Sequence, residues 1–277
     1  MSEAGELYSH SRLSLFEACP RKFAYRYLEK IAPDHESVEA FLGKRVHEVL
    51  ERLYRVTALG RGAPSLGRVL RRFGALWDEH YHKQRIRVAR EEMSAELYRE
   101  NGERCLENYY RRHYPFDCGE TLALEERVVF ALDGRGEYRM QGVIDRVVRA
   151  RDGAIEIHDY KTGARVPSQR QIDEDRQLAL YQLGVAERYG PERPVRLVWH
   201  YLLRNQERRS ARTPEQLEAL RDRTMRLIDR IRSHTEFAPR PGPLCQWCEY
   251  RERCPAQGGA GARAPAPAPV REQLSLW

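Results

Sequence analysis

Ile155-Glu156-Ile157-His158-Asp159-Tyr160-Lys161-Thr162-Gly163, with Gly142-Val143-Ile144-Asp145 just upstream, is the stretch whose reading decides the fold. In an extended strand alternate side chains share a face, so Ile155, Ile157, Asp159 and Lys161 line up together. Two apolar residues give way to two charged ones, and the core becomes a site at the strand's end. The run from Tyr138 to Val148 also reads as a strand and contains Asp145. An antiparallel pairing of the two strands sets the Asp145 carboxylate beside Asp159, where two acids can share one divalent cation. The lysine is marked by composition as well. Of 48 basic residues only five are lysines (Lys22, Lys30, Lys44, Lys83 and Lys161), and Lys161 is the only one after position 83. A compact ammonium with a tunable pKa suits a position near an attacking water better than a wide, permanently charged guanidinium.

Outward from this stretch, the chain alternates helical and strand patterns. Residues 9 to 30 read as two short helices with Cys19-Pro20 at the joint, since proline is tolerated in a helix's first turn. A helix from about Ser37 to Val56 carries Gly43, His47 and Glu51 on one face, beside an apolar stripe of Leu42, Val46, Val49, Leu50 and Leu53. Gly60, Gly62, Pro64 and Gly67 mark a loop before helical stretches at about 65 to 83 and 90 to 114. Thr121 to Leu132, Tyr138 to Ala150 and Ala154 to Tyr160 form a three-strand meander, separated by Asp133-Gly134-Arg135-Gly136 and Asp152-Gly153 turns. A helix at about Asp173 to Tyr189, a strand from Val195 to Leu203 and a helix from Thr213-Pro214 to about His234 complete a mixed α/β order.

Composition narrows the function. A net charge of +7 and a pI near 9.1 favour a polyanionic partner, nucleic acid above all, although 41 acidic residues set the chain apart from a histone-like protein. No run of 18 apolar residues and no signal-peptide pattern occur, so a soluble, cytoplasmic protein without a membrane partner is expected. No GxxxxGK[ST] loop is present, and any helicase must be a separate protein. Cys245-x2-Cys248-x5-Cys254 leaves three thiolates in ten residues, and Cys19, also followed by proline, is the best fourth ligand. A four-thiolate site would clasp the two ends of the chain together. Spacing alone does not separate zinc from a 4Fe-4S cluster. Cys105 and Cys118 read as unligated.

Gly43-x3-His47, Gly142-Val-Ile-Asp145, Asp159-Tyr-Lys161, Gln177-x3-Tyr181 and the cysteine set stand in one order over residues 9 to 257. Together they resemble the RecB-type branch of the PD-(D/E)xK nucleases, particularly its iron-sulfur members such as the AddB nuclease domain and the small CRISPR-associated exonucleases. The resemblance implies a restriction-endonuclease-like central mixed sheet flanked by helices, with a helical lobe inserted at about 57 to 115. It selects iron over zinc at Cys19, Cys245, Cys248 and Cys254. It implies His47, Asp145, Asp159 and the Tyr160 carbonyl as ligands of Mg2+ or Mn2+, Lys161 as the residue that positions the attacking water, and Gln177 and Tyr181 as DNA contacts. The expected activity is metal-dependent hydrolysis of DNA in repair or recombination, with exonuclease action on single-stranded ends. The rival readings are a non-catalytic DNA-binding protein with a structural four-cysteine zinc site, and the nuclease subunit of a helicase complex. Residues 258 to 277 read as a disordered Ala/Pro linker. Its terminal peptide, with Gln273, Leu274, Leu276 and Trp277 as anchors, resembles those that dock on the bacterial sliding clamp.

Overall fold

The computed structural model describes residues 6 to 258 except 61, 91 and 191. The proposed clamp-binding residues Gln273, Leu274, Leu276 and Trp277 lie outside that range. The central sheet has six strands: β1 (Leu7–Tyr8), β4 (Glu120–Ala131), β5 (Arg139–Arg149), β6 (Ile155–Lys161), β7 (Val195–Tyr201) and β8 (Gln206–Ser210). The meander forms as its turns dictate, β4 pairing antiparallel with β5 and β5 with β6, while β6 and β7 pair in parallel. A mixed sheet results.

Helices cover both faces. On one side lie α1 (His10–Ala18), α6 (Gln169–Asp173), α7 (Gln177–Tyr189) and α8 (Pro214–Arg232), whose apolar residues join Ile155, Ile157, Leu197 and Trp199 in one core. On the other lie α3 (Val38–Ala58), α4 (Leu66–His80) and α5 (Ala95–His113), which share a second core with Tyr160 and Leu202. Strand β6 separates the two cores, and Ile155 to Tyr160 are all buried. After α1 the chain runs through α2 (Pro20–Phe23) and a π-helical turn to Leu28. The two-residue strands β2 (Glu36–Ser37) and β3 (Ile86–Arg87) pair with each other at the edge of the helical lobe.

Several details depart from the sequence patterns. The helix expected from about Asp173 to Tyr189 starts instead at Gln177 as α7, with the short α6 ahead of it, because the Asp175 carboxylate accepts the Gln177 backbone N–H at 2.9 Å and starts the helix there. Strand β8 carries the sequence Gln-Glu-Arg-Arg-Ser, which has no apolar alternation; its place is set by the left-handed turn at Asn205, φ 49°, after β7. Among the described residues no helix is long and apolar enough to cross a membrane.

The iron-sulfur clasp is not borne out. Cys19, Cys245, Cys248 and Cys254 are free thiols, and among the described residues no converging set of metal-donor atoms contains a cysteine. Two of the sulfurs are turned to backbone N–H groups instead: Cys19 Sγ accepts the Arg240 N–H at 3.5 Å and Cys245 Sγ accepts the Gly242 N–H at 3.3 Å. The two ends of the chain do meet, through other chemistry. Tyr25 donates to the Arg253 carbonyl and Tyr250 to the Ile31 carbonyl, each at 2.9 Å, and Lys22 pairs with Glu249 at 2.6 Å. Neither the 4Fe-4S cofactor nor a four-cysteine zinc site describes this chain.

His10 gives the fold an acid-sensitive point. Its Nδ1 is buried without a partner, and burial, reinforced by the Arg176 guanidinium, pushes its pKa down to about 4. The unfolded chain binds a proton near pH 6.5 that the folded chain refuses until about pH 4. Stability is therefore full above pH 6.5 and falls on acidification through that window, by about 3 kcal/mol. His10→Gln should flatten this dependence in denaturant melts at pH 7 and pH 5; an unchanged slope would mean that His10 is not the group responsible.

Candidate metal centre and active site

The site is built where β5 and β6 part. Their ladder runs from Arg149↔Ile155 to Arg146↔His158 and stops. Had it continued by one residue, Asp145 and Asp159 would lie directly opposite each other, two like charges whose repulsion destabilises pairing. Instead the strands splay, and the Asp145 side chain replaces the lost backbone acceptor: its Oδ2 takes the Tyr160 N–H at 2.7 Å. Beyond the fork, the edge of β5 is taken up by β1 at Arg139 and Met140.

His47 approaches from α3 on the lobe side. Its Nε2–H donates to the Tyr160 carbonyl at 2.9 Å, while Nδ1 faces Asp145 Oδ1 at 3.4 Å and Glu125 Oε1 at 3.8 Å. Burial opposes the imidazolium, but Asp145, Asp159 and the Tyr160 carbonyl together outweigh it and raise the His47 pKa to about 9. One donor atom each of His47, Glu125 and Asp145 all lie within 4.8 Å of one another.

Glu125 is the member that the sequence did not reveal. It adopts φ 47° inside β4, opposite Asp145 and at a position skipped by the regular register. Holding a non-glycine residue there costs about 1–3 kcal/mol, and such strain concentrates at functional sites. Burial first, and then the Asp145 charge, push the Glu125 carboxyl up to about 7. The adjacent pair Glu125-Glu126 was the available signal. A strand turns consecutive side chains to opposite faces, so one acid of such a pair must point inward.

On the opposite face, Asp159, Lys161 and Gln177 close a triangle. Lys161 Nζ lies 2.7 Å from Asp159 Oδ2 and donates to Gln177 Oε1 at 2.9 Å; Gln177 Nε2 donates to Asp159 Oδ1 at 2.9 Å. Asp159 is only 4 % exposed. Burial raises its pKa against the pull of Lys161, with Asp145 adding to the rise; for Lys161, burial is outweighed by Asp159, Asp145 and Asp175 together and the ammonium is held charged. Tyr181, one turn along α7, is buried against Gly142. A Cβ at Gly142 would come within 2.1 Å of the Tyr181 ring, which is why β5 has glycine three residues before Asp145.

The structure thus brings His47, Asp145 and Tyr160 together with Glu125, and sets Asp159, Lys161 and Gln177 across the same fork. Two carboxylates and one imidazole within reach of one point form a donor set that suits a hard or borderline divalent cation. The sequence profile of the PD-(D/E)XK nuclease superfamily matches residues 8–255. The chain belongs to the PD-(D/E)XK nuclease superfamily. A curated relative, the Gene 69 protein of Mycobacterium phage D29, is 31% identical over 141 residues, which cover 49% of this PD-(D/E)XK chain and 48% of that protein. The chain thus spans about half the length of the curated relative it matches. The crystal structure of SSO0001 aligns over 93% of this chain and 88% of that one at a TM-score of 0.41 and 15% identity, a likeness too loose to argue from. Family membership is consistent with a nuclease-type hydrolase acting on nucleic acid.

The packing of Tyr181 on Gly142 gives a direct test of how this PD-(D/E)XK fork is held. Gly142→Ala should destabilise the protein by about 1–3 kcal/mol through overpacking. Adding Tyr181→Leu, which removes the obstructing ring, should recover part of that loss in a double-mutant cycle of thermal or denaturant melts. Strictly additive losses would contradict the contact.

Proposed function

We propose that the protein is a Mg2+- or Mn2+-dependent deoxyribonuclease that hydrolyses phosphodiester bonds from single-stranded DNA ends. The observation that carries the proposal is the fork itself, where His47, Glu125 and Asp145 converge beside the Asp159–Lys161–Gln177 triangle. Family membership supports the hydrolase class, and the net charge of +7 supports a polyanionic substrate.

In this reading His47, Glu125 and Asp145 hold the cation, with Asp159 and the Tyr160 carbonyl as further oxygen donors. The metal, when bound, lowers the pKa of water and offsets negative charge on the phosphate. The remaining work falls to the chain. Lys161, held as a cation, has an ammonium proton free to orient the water or to meet the developing phosphate charge. Asp159 keeps that ammonium in place. Gln177 bridges the two with one amide, accepting from Lys161 and donating to Asp159, and so acts as a positioning residue. Tyr181 supports the fork from behind through Gly142.

Cleavage of end-labelled single-stranded DNA with and without Mn2+ tests the assignment. Asp159→Asn and Lys161→Ala should each reduce kcat by about 10²–10³-fold with little change in thermal stability. Robust cleavage by either variant would remove the active-site assignment. A covalently closed circular single strand should resist cleavage, whereas rapid linearisation would make the enzyme an endonuclease.

Glu125→Gln should weaken Mn2+ binding by about 10–100-fold in calorimetric titration, the range set by loss of a group that tunes a metal centre. Unchanged affinity would return Glu125 to a purely structural role. Gln177→Ala should lower kcat more than it raises KM, and Gln177→Glu, which keeps an acceptor for Lys161, should recover part of the loss.

A further inference from the structure

A second set of buried polar groups lies behind Tyr160, away from the fork. Four residues form a line across the sheet: Glu156 Oε2 is 3.3 Å from His158 Nε2, His158 Nδ1 is 2.8 Å from His200 Nε2, and His200 Nδ1 is 3.5 Å from Glu207 Oε2. His158 and His200 are 4 % and 3 % exposed, with their rings stacked at 7° between planes.

Counting hydrogens along this line exposes a deficit. Carboxylates only accept, and a neutral imidazole carries one N–H. Three contacts need three hydrogens, while two neutral rings supply two. One contact therefore sets a ring lone pair against a carboxylate, a costly arrangement in a buried site.

A third imidazole converges on the Glu207 end of this line. His113, the last residue of α5, brings a ring nitrogen within a group in which His113, His200 and Glu207 donor atoms all lie within 4.8 Å of one another. Its Nε2 is buried and has no hydrogen-bond partner. His158 Nε2, facing Glu156, is likewise buried without a hydrogen-bond partner; with His200 giving its Nε2–H to His158, the His200 Nδ1 lone pair, the unpartnered His113 ring and Glu207 Oε2 all face one another. Arg209 holds the other Glu207 oxygen, Oε1, at 2.6 Å and leaves Oε2 free. The C-terminus of α5 also favours a positive charge at this point.

We propose that His113, His200 and Glu207 form a second, transition-metal site, selective for zinc, with His158 as the partner that fixes the His200 tautomer. Two imidazoles and a carboxylate with one position left for water make up a three-ligand zinc donor set, and imidazole favours zinc over magnesium. The hydrogen bond from a ligand histidine's far nitrogen to a second group is the usual support of such sites. The metal would join α5 of the helical lobe to β7 and β8 of the sheet, directly behind Tyr160. Arg112, Arg146 and Arg209 lie near enough to oppose a cation, so the expected affinity is micromolar rather than tighter.

The test is a zinc titration of chelator-treated full-length Asp145→Asn protein, in which the fork is weakened, against the same protein carrying His113→Ala. The Asp145→Asn protein should bind one more zinc ion than its His113→Ala derivative, with a rise in Tm on zinc addition that the derivative lacks. Cobalt in place of zinc should give a visible absorption band that His113→Ala abolishes. His113 lies at the rim of the cluster, and Glu207→Gln provides a second variant if His113→Ala fails to fold. Equal zinc content and equal Tm shifts in the two proteins, or no zinc bound by either, would overturn the proposal.

Discussion

One hydrogen bond organises the candidate active site: the Asp145 carboxylate accepting the Tyr160 N–H at the point where β5 and β6 separate. A regular antiparallel ladder would place Asp145 and Asp159 opposite each other with no room for a third group. By substituting a side-chain oxygen for a backbone carbonyl, Asp145 satisfies the buried N–H and opens the sheet at the same time. The Tyr160 carbonyl then meets His47, and Tyr160 itself packs its ring into the core of the helical lobe. The sheet, the lobe and the site are tied through this one residue.

The fork concentrates charge that the rest of the fold must balance. Glu125, Asp145 and Asp159 supply three carboxylates within a buried region, against the cations of His47 and Lys161. Burial first, and then the crowding of carboxylates, raises the pKa values of Glu125 and Asp159, a cost that a divalent cation would answer without a proton. The backbone strain at Glu125 persists because Glu126, its neighbour, is anchored on the other face by Tyr189 and Arg188. Local cost at Glu125 is thus offset by contacts made one residue away.

Much of this was legible in the sequence. The alternation from Ile155 to Lys161, the lone late lysine and the upstream Gly-Val-Ile-Asp run located the fork, and turn residues located the meander. Periodicity also found the long helices. The pattern failed where backbone geometry rather than side-chain rhythm decides: the break between α6 and α7 at Asp175, the polar strand β8 after Asn205, and the left-handed residue Glu125. The cysteine spacing misled for a different reason. Spacing states which thiols can reach a common point, whereas here Cys19 and Cys245 are turned to backbone N–H groups and the chain ends are joined by Tyr25, Tyr250 and Lys22. The His113–His200–Glu207 cluster had no linear signal, since its members lie in three elements brought together only by the packing of α5 on the sheet.

The central claim, that the splayed strands create a divalent-cation site beside Lys161, is tested most directly by anomalous diffraction from crystals soaked in Mn2+. The account predicts one strong manganese peak in contact with His47, Glu125 and Asp145, and its loss in crystals of Asp145→Asn protein. A manganese peak elsewhere with none at the fork, or an undiminished peak in the variant, would contradict it.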